Sequence, residues 1–137
     1  GHLFFNDGRW PGFDDGVYAG ARILEILSRE ADPSAALEAL PSAVNTPELQ
    51  IRMAEGENKA FIARLQKEAR FDDALDVITI DGVRVEWNDG FALARSSNTT
   101  PVVVLRLEGD TPEALERIKK TFAEVLLKVE PSLELPF

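Results

Sequence analysis

The sequence predicts an α+β fold: a mostly antiparallel sheet of four to five strands with two helices on one face, preceded by a strand–helix tail of a neighbouring domain. Three observations predict it. From Thr46 onward the apolar periodicities run β-α-β-β-β-β-α. Asp81-Gly82 lies between two alternating apolar runs, the strongest short hairpin signal, and hairpins make neighbouring strands antiparallel. Thr111-Pro112-Glu113 marks a helix start directly after the last strand, with Thr as N-cap and Pro at the first helical position.

Taken in order, Leu3, Phe4 and Phe5 read as a short strand. Residues 6–12, with Gly8, Pro11 and Gly12, form a loop. Asp14 or Asp15 caps a helix running to about Arg29, with Val17, Ala21, Leu24 and Leu27 as its apolar stripe. Asp32-Pro33 breaks that helix, and residues 34–40 add one or two turns. Residues 1–31 are thus a tail, 32–45 a linker, and 46–137 the main domain. Leu49, Ile51 and Met53 alternate with Gln50 and Arg52, as a half-buried strand does. A helix follows over 57–70, with Phe61, Ile62, Leu65 and Ala69 inward. Strands over 76–80 and 83–87 are joined by Asp81-Gly82. Asn88-Asp89-Gly90 turns the chain into a strand over 91–94, and another follows over 102–107. The last helix buries Leu115, Ile118, Phe122, Val125, Leu126 and Val129, and ends before Pro131.

The 137 residues suit one domain, or one domain with an appendage. A chain of this size buries roughly 68% of its unfolded surface, enough for a real core. It has no cysteine, hence no disulfide framework and no thiol chemistry, which fits a cytoplasmic location. No apolar run approaches the length of a membrane span, and no signal peptide is visible. The chain opens on Gly-His rather than Met, and is expected to be a piece of a longer protein. A net charge of −9 argues against nucleic-acid binding, which needs a basic footprint. The same charge repels anionic ligands at long range, so any phosphate site must be local.

One stretch offers such a site. Arg95-Ser96-Ser97-Asn98-Thr99-Thr100-Pro101 brings a guanidinium, four hydroxyls and a carboxamide to the turn between two predicted strands. Arg presents a planar, permanently charged fork that matches phosphate. Ser, Thr and Asn add neutral donors, and successive turn N–H groups can line an anion-binding concavity. The plainer reading is a turn rich in Ser, Thr and Asn, which favour turns anyway. Elsewhere the chemistry is sparse. His2 is the single histidine, and its plainer reading is a frayed terminus. Asp14-Asp15 is a cap and dipole partner rather than a metal site. Trp10 and Trp87 read as packing. No H-E-x-x-H, Walker loop or G-x-G-x-x-G occurs.

The runs Asp81-Gly82-Val83-Arg84 and Arg95-Ser96-Ser97-Asn98-Thr99-Thr100-Pro101 carry a resemblance. Together they resemble the DGxR hairpin and RxSNTxP strand end of the α-D-phosphohexomutase C-terminal domain, within that family most of all bacterial phosphomannomutase/phosphoglucomutase. Gly1-His2 before Leu3-Phe4-Phe5 resembles the end of the family's GExSGH sugar loop. The resemblance implies a substrate-phosphate-binding domain of an intramolecular phosphotransferase that interconverts hexose 1- and 6-phosphates. It assigns the phosphate to Arg95, Ser97, Asn98 and Thr99, and a sugar contact to His2. Residues 1–31 become the tail of the sugar-loop domain and 32–45 the hinge. Catalytic serine and Mg²⁺ would both lie on domains absent here, hexose 1,6-bisphosphate would be the intermediate and activator, and the fragment alone would be inactive. Asn98-Thr99-Thr100 departs from the Gly-Thr-Glu of phosphoglucosamine mutases, the alternative within the family. A non-catalytic interaction or regulatory domain is the alternative outside it. Cut from its neighbour, the 1–31 tail has three outcomes: disorder, folding back onto the sheet, or dimerisation. Its self-complementary apolar surface favours the dimer.

Overall fold

The structure, a computed structural model, describes residues 2–137 and divides into two compact units, Gly1–Pro41 and Ser42–Phe137. The first unit carries helices α1 (Gly16–Leu27) and α2 (Pro33–Glu38). Asp15 caps α1 by accepting from the Tyr18 N–H, and Asp32 caps α2 by accepting from the N–H groups of Ser34 and Ala35. Aromatic stacking replaces an aliphatic core here. Trp10 stacks on Tyr18 at 4.1 Å, and Phe5 meets Tyr18 edge-on at 5.4 Å. Around this cluster Arg22 pairs with Asp7, while Arg9 forks onto both oxygens of Glu25 at 3.1 Å. The Arg22 hydrogen bond holds the Asp7 carboxyl below its usual range, and the Arg9 hydrogen bond does the same for Glu25. Their contribution is present above the ordinary carboxylate range and fades as pH falls through the lowered folded values.

Two expectations for this region are corrected. Residues 3–5 form no strand; extended backbone needs a partner edge, and Phe5 packs on the aromatic cluster instead. The 32–45 span is not a bare linker. Asp32 and Pro33 nucleate α2, and Val44–Asn45 joins the sheet. The stripe predicted on α1 is real in sequence but uncovered: Val17 is 85% and Leu24 69% exposed.

The second unit is the predicted α+β domain. Its strands are β1 (Val44–Asn45), β2 (Leu49–Arg52), β3 (Asp76–Ile78), β4 (Val83–Trp87), β5 (Gly90–Ser96) and β6 (Val102–Gly109). Helices α3 (Glu57–Glu68) and α4 (Pro112–Val129) complete it. All pairings are antiparallel, in the order β1-β6-β5-β4-β3, with β2 also on β6. Strand β1 pairs with one end of β6 and β2 with the other, so they form one interrupted edge. The sheet therefore has six strands rather than four to five, the extra one being β1.

Alternation along the strands builds one core face. Val83, Val85, Trp87, Ala92, Ala94, Val103, Leu105 and Leu107 share it with Phe61, Ile62 and Leu65 of α3 and Leu115, Ile118, Phe122 and Leu126 of α4. Both helices thus cover the same face. Thr111 caps α4 by accepting from the Ala114 N–H. Strand β3 stops at Ile78, two residues short of the prediction, leaving residues 79–82 as a four-residue loop in which only Gly82 has positive φ, at 89°. A two-residue type I′ turn needs positive φ at both central residues, so Asp81-Gly82 does not make one.

Candidate functional site

The two central strands meet at the site. Strand β5 runs through Arg95 to Ser96, residues 97–101 turn, and β6 returns from Val102. The Ser97 N–H donates to the Val102 carbonyl at 2.9 Å and closes the turn. Arg95 lies opposite Val104 on the sheet face away from the helices, and its side chain is 47% exposed. Its Nη1 lies 3.4 Å from an oxygen of Asp81, itself 71% exposed. A pair so open to water contributes about 0–1 kcal/mol, so Asp81 steadies the guanidinium without locking it away from a stronger anion.

Ser97 acts as a staple. Its Oγ accepts from the N–H groups of Thr99 and Thr100 at 3.3 and 3.2 Å, and from the Thr100 hydroxyl at 2.9 Å. This corrects one expectation: two of the turn N–H groups point inward to Ser97 and are not open donors. The turn exposes Asn98, Thr99 and Thr100 to solvent; the Thr100 hydroxyl is spent on Ser97 Oγ, and the Thr99 hydroxyl lies 3.4 Å from the same oxygen. Ser97, Asn98 and Thr99 thus share one turn that Ser97 shapes, and Arg95 precedes it on β5 with its guanidinium against Asp81.

Three supports were not read from the sequence. Asn58, at the start of α3 and 3% exposed, donates from Nδ2 to the carbonyl oxygens of Ser97, Thr100 and Val102. The Met53 N–H donates to the Pro101 carbonyl at 3.0 Å. Gln66, further along α3, donates to the carbonyls of Thr79 and Gly82 at 3.0 and 2.9 Å, fixing the loop that carries Asp81. One signal was available: Asn58 stands three, four and seven residues before Phe61, Ile62 and Leu65, so a polar residue occupies the helix's inward stripe.

His2 lies in the other compact unit, its Nε2 3.4 Å from Asp14. Gly1 of the expected sugar loop falls outside the described residues. A cavity of about 320 Å³ opens beside α3, lined by Arg52, Met53, Phe61, Arg64, Glu130 and Leu133 among others. None of Arg95, Ser97, Asn98 and Thr99 lines it, and Arg64 is tied to Glu130 at 3.0 Å, which makes it a poor anion site. Among the described residues no cluster of three or more His, Asp or Glu is assembled to hold a metal, so the residues present do not fit Mg²⁺. Nor is any described helix long and apolar enough to cross a membrane.

Comparison with known proteins gives four findings. The sequence model described as "Phosphoglucomutase/phosphomannomutase, C-terminal domain" matches residues 48–125. A phosphoglucomutase from Neisseria gonorrhoeae is 54% identical over 127 residues, 92% of this chain and 27% of its own. A phosphomannomutase/phosphoglucomutase from Pseudomonas aeruginosa is 49% identical over 138 aligned positions, 100% of this chain and 29% of its own. A crystal structure of a phosphoglucomutase/phosphomannomutase family protein from Burkholderia thailandensis superimposes with a TM-score of 0.90 at 58% identity, covering all of this chain and 28% of that one. The chain thus spans between a quarter and a third of the length of these relatives.

Proposed function

The chain belongs to the phosphoglucomutase/phosphomannomutase family, as its C-terminal domain, and on that premise we propose that it holds the non-reacting phosphate of a hexose phosphate while chemistry proceeds on other domains. One observation supports the reading: the half-exposed Arg95 guanidinium stands near the end of the strand that leads into a Ser97-stapled turn with Asn98 and Thr99 exposed. Arg95 pairs with two phosphate oxygens as a fork, and Asn98 Nδ2 and the Thr99 hydroxyl donate to the rest. Ser97 keeps the turn in shape and has its own hydroxyl proton to offer.

Such a site supplies orientation. Anchoring one end of the sugar fixes where the other hydroxyl lies, and fixed geometry is worth of the order of several kcal/mol of the barrier. Binding energy gathered at the remote phosphate then lowers the barrier at the reacting one. In the parent, the reaction moves a phosphoryl group between O1 and O6 through a hexose 1,6-bisphosphate. The proposal assigns the donor serine and the Mg²⁺, which stabilises developing phosphoryl charge, to other domains. His2 contacts the sugar, residues 32–45 act as the hinge, and the protein is cytoplasmic, as its lack of cysteine suggests. The experiment assays the full-length parent and the pure 137-residue chain on mannose 1-phosphate and glucose 1-phosphate. Turnover by the parent alone is expected; turnover by the 137-residue chain would overturn the division of labour.

The uncovered α1 stripe carries a second expectation. In the isolated chain, Val17 and Leu24 face water at a cost of order 25 cal/mol per Å². Pairing of two copies through residues 1–31 relieves that cost. Light scattering is expected to report a dimer for the 137-residue chain and a monomer once residues 1–31 are removed. A monomer in both cases sinks the dimer.

A further inference from the structure

Two residues of the Ser42–Phe137 unit are polar and buried, Thr46 and Asn58. They serve opposite ends of β6. Thr46 Oγ1 accepts from the Leu107 N–H at 3.1 Å, near the strand's end, whereas Asn58 reaches Val102, the strand's first residue, at 3.3 Å. Asn58 takes a place on the inward stripe of α3 where an apolar side chain is the default. Burying a carboxamide is costly unless it is hydrogen-bonded, and here the bonds go to the anion turn: the carbonyl oxygens of Ser97 and Thr100 lie 3.1 and 3.4 Å from Nδ2. Three acceptors around one end of a carboxamide admit only its NH₂, so the side-chain orientation is fixed.

We infer that Asn58 is a positioning residue for the phosphate turn, holding the carbonyls of Ser97, Thr100 and Val102 toward α3 so that Asn98 and Thr99 stay turned outward to receive the phosphate. The inference rests on reading the 97–101 turn as the phosphate holder. Asn58 acts in two ways. It fixes the turn's shape, on which the Ser97 staple to Thr99 and Thr100 depends. It also keeps three carbonyl dipoles, negative at oxygen, from swinging out to face a phosphate dianion.

The test uses the full-length parent with glucose 1-phosphate, reading steady-state kinetics and amide hydrogen exchange at residues 97–102. Asn58→Ala is compared with Thr46→Val, which removes a buried hydrogen bond at the far end of the same strand, and with Arg95→Ala. Expected for Asn58→Ala is a roughly tenfold lower kcat/KM, chiefly through KM, together with faster exchange at the Thr99 and Thr100 amides. Thr46→Val lowers the melting temperature but leaves KM unchanged. Asn58→Ser keeps one donor and falls between wild type and Asn58→Ala, and it carries the comparison if the alanine variant does not fold. If the Asn58 variants match Thr46→Val in KM while Arg95→Ala is impaired, Asn58 is only structural and the phosphate reading stands. If Arg95→Ala is unimpaired as well, both fall.

Discussion

Arg95→Ala in the full-length parent is expected to lower kcat/KM for hexose phosphates by about tenfold or more, with an unchanged melting temperature. The magnitude follows from the bond removed: a hydrogen bond to a charged group contributes about 1.5–3 kcal/mol, and about 1.4 kcal/mol is tenfold. Stability is spared because the guanidinium is half exposed and its partner Asp81 more so, an ion pair worth about 0–1 kcal/mol at most. Arg95→Lys keeps the charge but loses the planar fork, so it recovers only part of the loss. Full activity in Arg95→Ala would mean that the guanidinium does not hold phosphate.

Gly82→Ala is expected to damage stability and function together. Gly82 has φ of 89°, a conformation that costs an L side chain about 1–2 kcal/mol. The added Cβ would overlap the Ala94 carbonyl oxygen and come within 2.8 Å of the Arg95 Cα. Those are backbone atoms of β5, so the strand itself must shift, at about 1–3 kcal/mol for overpacking. Together these amount to roughly 2–5 kcal/mol, enough to lower the melting temperature by roughly ten degrees or more in a domain this size. Because the shift lands on Arg95, kcat/KM falls even at temperatures where the variant is folded. Calorimetry and kinetics on one preparation check both effects, and a melting temperature within a degree or two of wild type would contradict the close approach.

The fold of the second unit was legible because its signals are local and agree. Alternation at residues 83–87 and 102–107, the Asn88-Asp89-Gly90 turn and the Thr111-Pro112 cap each specify geometry within a few residues. The short edge β1 was not legible, since two residues carry no period; it exists because β6 has backbone groups left to pair beyond β2. Leu3, Phe4 and Phe5 misled for the opposite reason: strand composition does not make a strand without an edge to join. At the site, Arg95, Ser97, Asn98 and Thr99 lie within five residues, so their grouping was visible in sequence. Which way the turn's N–H groups point was not, because Ser97 takes two of them. Asn58 and Gln66 were hidden further, since α3 reaches the two loops only after the sheet forms, across 39 and 16 residues of chain.

The most direct measurement is a crystal structure of the full-length parent with glucose 1-phosphate bound. The account predicts the non-reacting phosphate within hydrogen-bond distance of the Arg95 guanidinium, Asn98 Nδ2 and the Thr99 hydroxyl, with the Arg95–Asp81 contact opened. A phosphate bound elsewhere, with Arg95 still resting on Asp81, would contradict it.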